Sequence, residues 1–137
     1  MKFVRGFSVL MLIFLSTSAV CGGIGLTVEA RGNPWGFMPL SLLQHSPLHT
    51  WLIPGIVLLA ANGALALWVL WLVVAHRRYD GLWAILQGCI LLGWLTVECV
   101  ILRFVIWPHY MYGAVGVALI VAGAALRHDT QPAVMAR

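Results

Sequence analysis

Charge is what this sequence has least of. Acidic side chains number 4 and lysine plus arginine 8 in 137 residues, so charged residues are 9% of the chain. A soluble domain carries about 25%. Apolar residues reach 62%, and mean hydropathy is +0.97. Too few polar side chains remain to coat a water-soluble globule, so the composition predicts an integral membrane protein. The net charge of +4 comes from residues scattered over short hydrophilic ends. Without a basic run interleaved with aromatics there is no footprint for nucleic acid. Cysteine is scarce as well: Cys21, Cys89 and Cys99 form no C-x-x-C, which argues against a thioredoxin-type or quinone-linked dithiol. Cys89 and Cys99 are ten residues apart on one predicted helix, about 15 Å, too far to bridge. All three read as small core residues. The chain has no G-x-S-x-G, no H-E-x-x-H, no phosphate-binding loop, no internal repeat and no low-complexity segment. No cofactor is expected, and the balance leans away from an enzyme.

Four long apolar runs are present. They cover about residues 7–28, 53–75, 82–107 and 110–126, each near the 20 or so residues that a bilayer requires. In lipid an isolated span satisfies its backbone only as a helix. The predicted fold is an all-α bundle of four transmembrane helices in one membrane domain. Residues 29–52 make a real loop, while 76–81 and 108–109 make tight turns. Short turns give antiparallel neighbours and an up-down order. Lys2, Arg5, Arg77, Arg78, Arg127 and Arg137 fall on one side, and Arg31 falls on the other with Arg103 near it. The positive-inside rule then predicts cytoplasmic N- and C-termini and an outward loop 29–52. Trp51, Trp107, Tyr110 and Tyr112 fit the outer aromatic belt; Tyr79 and Trp83 fit the inner one. The N-terminus has a second reading. Its basic start, apolar core and Thr17-Ser18-Ala19 resemble a secretory signal, yet the apolar run continues to Val28 and favours an uncleaved helix.

Glu98 and Arg103 are charged residues inside the third run. Counted from Trp107, Glu98 is about 13–14 Å deep. Asn62, nine residues after Ile53, is at about the same depth, and Ser16, Thr17 and Ser18 are about 15–18 Å in. These groups predict a polar layer of Glu98, Asn62, Ser18 and Thr17, with Gln87 on the Glu98 face. Arg103 is about 140° round the helix from Glu98, so the two make no good intrahelical pair. Arg103 and Trp107 are expected as interface anchors. Two readings of Glu98 stand open. In one it is neutral and hydrogen-bonded to Asn62 or a serine, holding helices together. In the other it is a proton-relay or ligand-binding group.

Small residues mark packing faces: Ala114, Ala118 and Ala122, Gly116 and Gly123, and the Ala60–Ala64 stretch round Asn62. His45 and His49 have metal-pair spacing, but Pro47 divides them. Ser46-Pro47 reads as an N-cap followed by a first helical residue, leaving His45 outside, so no metal site is expected. His109 reads as an interfacial turn residue. Residues 32–36 form a turn cluster, and Phe37–Leu43 is apolar enough to lie on the membrane surface or to cap the outer mouth.

Several short motifs carry a likeness. They are Gly22-Gly23, Asn33-Pro34, Leu42-Leu43 before Ser46-Pro47, Leu52-Ile53-Pro54-Gly55, and Trp94…Glu98…Ile101-Leu102-Arg103. With them the chain resembles a group of small bacterial four-helix membrane proteins and, more distantly, the DoxX-like proteins. The resemblance implies a four-helix inner-membrane fold and no particular activity. The functional expectation is a non-enzymatic accessory or structural membrane component whose partners are the lipid bilayer and a membrane protein or a second copy. The alternatives are a small oligomeric proton-coupled carrier using Glu98 and a membrane enzyme acting on lipid or quinone.

Overall fold

The computed structural model describes residues 1–31 and 39–135, with side chains as far as Asp129. Four helices dominate: α1 (Lys2–Val28), α2 (Leu52–Val74), α3 (Asp80–Leu102) and α4 (Trp107–Met135). No strand occurs among the described residues. Each helix is long and apolar enough to cross a membrane, with mean hydropathy from 1.6 to 2.3 over its most apolar stretch. Large apolar side chains such as Ile13, Trp71, Val100 and Val121 point outward. Such a surface suits lipid as the solvent.

Contact between apolar surfaces gains little in lipid, because the lipid tails are equally apolar. Close packing must hold the bundle instead, and glycine permits it. A Cβ on Gly81 would stand 2.6 Å from the Gly123 carbonyl oxygen, and one on Gly88 would stand 2.5 Å from the Gly116 oxygen. Each glycine pair is seven residues from the next on its own helix, so α3 and α4 touch backbone to backbone at two levels. α1 and α2 do the same where Gly23 meets Leu59 and Gly55 meets Leu26 and Thr27. Between these seams lies a core of Leu12 and Leu15 from α1, Val69 and Val73 from α2, Leu91 from α3 and Leu119 from α4.

The end that carries residue 1 is pinned by an ion pair. Arg5 Nη1 donates to Asp80 Oδ2 at 2.6 Å and to the Val73 carbonyl at 2.7 Å. Asp80 is 2% exposed. Its other oxygen accepts the Gly81 N–H at the start of α3, where the helix dipole favours a negative charge. Sequence reasoning counted Arg5 only as a topology signal. Between α2 and α3, His76 takes the left-handed conformation at φ 51°. The Arg77 N–H reaches the Leu72 carbonyl and the His76 N–H the Val73 carbonyl, the paired bonds of a Schellman turn. Arg77 covers Trp71 and Arg78 covers Tyr79, with each guanidinium about 5 Å from the ring centre.

Several boundaries differ from expectation. α3 stops at Leu102 rather than Trp107, because Arg103 turns left-handed at φ 59°. Pro108 is the reason: inside a continuing helix it would remove a hydrogen bond and clash with the carbonyl four residues earlier. In the first turn of α4 it does neither harm. The connection is therefore 103–106, and Pro108 and His109 belong to α4. Ser46-Pro47 starts no helix. The Ser46 hydroxyl accepts the Leu48 N–H within a turn, and α2 begins at Leu52. Two residues expected in the outer aromatic belt lie elsewhere: Trp51 is 3% exposed, and Tyr112 stacks on Phe14. Trp107 and Tyr110 do face outward.

The loop end is capped. Leu43, at the close of a short 3₁₀ turn (Leu40–Leu43), packs with Trp51 and Leu102. The Trp51 N–H bonds the Ala30 carbonyl at 2.8 Å. Of the two readings of the Phe37–Leu43 segment, membrane surface or cap, the packing of Leu43 agrees with the cap. The turn cluster at 32–36, with Phe37 and Met38, lies outside the described residues.

Candidate functional site

The polar groups expected at one level form two separate clusters. The deeper one joins α2 and α3. Residues Leu58–Ala64 of α2 form a π-helical segment, with the Leu65 N–H bonded to the Ala60 carbonyl five residues back. Where five-residue spacing gives way to four, one carbonyl is skipped. Ala61 is at that switch, and its carbonyl accepts from Gln87 Nε2 at 3.1 Å. The same nitrogen donates to Asn62 Oδ1 at 3.2 Å. Both side chains are fully buried. Gln87 therefore satisfies a backbone group that the wide turn frees, which is how an irregular helix is tolerated inside a membrane. Asn62 Nδ2 and Gln87 Oε1 have no hydrogen-bond partner among the described residues.

Glu98 belongs to the other cluster. With α3 ending at Leu102, it is four residues, or about 6 Å, from the helix end. It is eleven residues from Gln87, about 16 Å along the axis. The expected common depth came from counting to Trp107. Glu98 faces His109, with Oε2 and Nε2 3.8 Å apart. Arg103 makes no ion pair with it among the described residues and is exposed in the turn.

Of the α1 hydroxyls of Ser16, Thr17 and Ser18, one reaches this neighbourhood. Ser18 borders the cavity beside Glu98 but donates to the Phe14 and Leu15 carbonyls of its own helix. Ser16 is buried and donates to Ile13. Thr17 is exposed. Hydroxyls that bond back to their own helix do not hold helices together.

All four helices meet round a cavity of about 160 Å³. α1 gives Leu15, Ser18, Ala19 and Gly22, and α2 gives Leu58. Leu91, Trp94, Leu95 and Glu98 come from α3, and Tyr112 from α4. Gln87, expected on the Glu98 face, lies deeper, and Leu91 and Trp94 share the cavity wall with Glu98. Behind Leu95 a shallow apolar groove opens on the outer surface, bordered by Thr96, Cys99, Val105 and His109. Glu98 and His109 thus stand at the seam between an interior cavity and a groove open to lipid.

His109 is the residue that sequence reasoning missed. Placing Pro108 in the first turn of a helix, as proline prefers, would have put His109 on the next helical position and not in a turn. Its ring is 8% exposed, and Nδ1 accepts the Ile106 N–H at 3.2 Å. Its Nε2 has no hydrogen-bond partner among the described residues. No group of three or more His, Cys, Asp or Glu able to hold a metal ion occurs among the described residues.

No protein-family model, curated protein or solved structure matches the chain.

Proposed function

We infer that this chain is a non-enzymatic, multi-pass accessory component of a bacterial inner membrane that binds a small amphipathic molecule beside Glu98. The observation that carries the reading is the cavity itself. It is lined by all four helices, walled mostly by leucine and aromatic side chains, and bears one carboxyl group. Ligand sites are commonly concave and apolar with few polar groups, as here. A volume of about 160 Å³ is close to that of cavities that admit one benzene-sized ring. With both termini cytoplasmic, as the arginine and lysine distribution favours, the cavity lies toward the outer leaflet.

The proton-coupled carrier has less support. Its polar groups would need to form a path, but about 16 Å of α3 separates Glu98 from Gln87. Between them the helix turns Leu91 and Leu95 inward.

The test uses protein in lipid nanodiscs with fluorobenzene as the probe, followed by fluorine NMR. One saturable site per chain is expected. Gly22→Leu should fill the cavity and remove it, since a Cβ at Gly22 meets only Leu58, at an ordinary 3.5 Å. Partitioning that never saturates, or saturation unchanged in Gly22→Leu, would defeat the reading. The same preparation gives the intact mass, which must include α1, because Ser18, Ala19 and Gly22 form one wall.

A further inference from the structure

We propose that the molecule taken by this cavity is an organic cation, an ammonium group on a small apolar body, held by Glu98; the proposal rests on the binding reading above. Glu98 is the starting point, because acids inside a membrane segment are otherwise paired within the protein. This one is not. Neither of its oxygens makes a hydrogen bond among the described residues, and neither is fully buried. Its side chain keeps 25% of its surface accessible. Glu98 lines the cavity, whereas the outer groove is bordered without it. The space that meets Glu98 is thus the cavity.

The protein brings no positive charge to this acid. Arg103 is exposed in the turn after α3 and makes no ion pair with it among the described residues. His109 is nearest, with Nε2 3.8 Å from Glu98 Oε2. Its Nδ1 accepts the Ile106 N–H at 3.2 Å. An imidazolium donates at both nitrogens and cannot accept there, so the ring is neutral. His109 borders the groove and is no part of the cavity wall.

The wall then selects the charge of its occupant. Glu98 is its one acid, and no lysine, arginine or histidine joins it. An anionic ligand would meet like charge with nothing to offset it. A neutral hydroxyl would donate one hydrogen bond and leave an ionised Glu98 uncompensated, which is costly away from water. Ser18 offers no help, because its hydroxyl is committed to α1 carbonyls. An ammonium answers both the charge and the hydrogen bond.

The aromatic side chains favour the same choice. Trp94 is one turn before Glu98 on α3, and Tyr112 faces the cavity from α4, fixed by its stack on Phe14. Aromatic rings attract cations, the more so when water is excluded. Leu15, Leu58 and Leu91 meet the rest of the ligand, and about 160 Å³ suits one ring. A phospholipid headgroup would bring a phosphate with its ammonium, and the wall has no basic side chain to receive it. The ligand class is therefore a free amine with an apolar body about one ring in size.

The experiment compares four fluorinated probes on the full chain in phosphatidylcholine nanodiscs, with empty nanodiscs subtracted. 4-Fluorobenzylammonium carries a positive charge and donors, 4-fluorobenzyl alcohol donates without charge, 4-fluorobenzoate is an anion, and fluorobenzene is none of these. The ammonium is expected to bind roughly tenfold or more tightly than each of the others. Gly22→Leu should remove its saturable binding. Glu98→Gln should lower it to the level of fluorobenzene, with melting in detergent confirming the fold. Alcohol binding as tight as the ammonium would overturn the cation, by showing that Glu98 serves as a neutral acceptor. Equal saturable binding of the ammonium and fluorobenzene would overturn it while leaving the cavity reading intact. Ammonium binding that survives Gly22→Leu would overturn it by placing the cation outside the cavity. Nanodiscs that also contain phosphatidylethanolamine should give the same ammonium affinity; competition by that lipid would overturn the free amine in favour of a headgroup. No saturable binding of any probe would remove the cavity reading itself. The wild-type series decides between cation, alcohol and apolar ring even if a variant does not fold.

Discussion

Gly88→Ala adds one methyl group at the closest approach in the bundle. That carbon would stand 2.5 Å from the Gly116 carbonyl oxygen and 2.7 Å from Ile120 Cγ1. Ordinary contacts start near 3.4 Å, so α3 and α4 must separate by most of an ångström or tilt. Overpacking of this kind costs about 1–3 kcal/mol. Alanine returns about 1 kcal/mol of helix propensity relative to glycine. The useful reference is therefore Gly93→Ala on the same helix, where a Cβ meets nothing within 4 Å. Gly93→Ala should be neutral or slightly stabilising, and Gly88→Ala should lie about 1–3 kcal/mol below it. Gly116→Ala should fall between them, because its added carbon meets the movable end of Leu92 at 2.9 Å. Reversible unfolding in mixed micelles, followed by helicity as denaturing detergent increases, gives all three values. Equal stability of Gly88→Ala and Gly93→Ala would refute the close α3–α4 seam and the argument that packing holds the bundle.

Three further outcomes follow from the hydrogen bonds and turns. Gln87→Leu leaves the Ala61 carbonyl and the Asn62 amide without their donor, so the same titration should show a loss of about 1–3 kcal/mol. Adding Asn62→Leu should recover part of that loss, since only the backbone carbonyl then remains unpaired. Arg5→Ala strands the buried Asp80 carboxylate and should cost about 3 kcal/mol, the low end for a broken buried pair because Arg5 is partly exposed. Arg5→Ala with Asp80→Asn should be the more stable of the two, as a two-variant thermal melt would show. His76→Gly should raise the melting temperature in detergent, because glycine occupies φ 51° without the roughly 1 kcal/mol Cβ penalty.

Residues near the middle of the chain's apolar runs were legible in the sequence, and those at their ends were not. Four helices follow from composition and run length, since lipid leaves the backbone no other solution. The end of α3 was hidden because apolar residues resume at once after Arg103, from Phe104 to Trp107, and Pro108 marks the break only beyond them. That five-residue error moved Glu98 toward the middle of the membrane and set it beside Asn62. Gln87 was recognised as polar and inward, yet its partner depends on the π segment of α2. No local pattern announces that segment, because Ala60, Ala61, Gly63 and Ala64 read equally well as an ordinary small face. Arg5 and Asp80 are 75 residues apart, so their pairing is a product of the fold. The Gly116 and Gly123 face was visible, whereas the matching Gly81 and Gly88 appear only when α3 and α4 are set antiparallel.

Photolabelling with a phenyl diazirine in nanodiscs, with and without excess fluorobenzene, tests the central claim most directly. Label that the competitor removes should map by mass spectrometry to 15–22 of α1 and 91–98 of α3. Competed label confined to outward residues such as Val100, Val117 and Val121, or no competed label at all, would contradict a binding cavity inside the bundle.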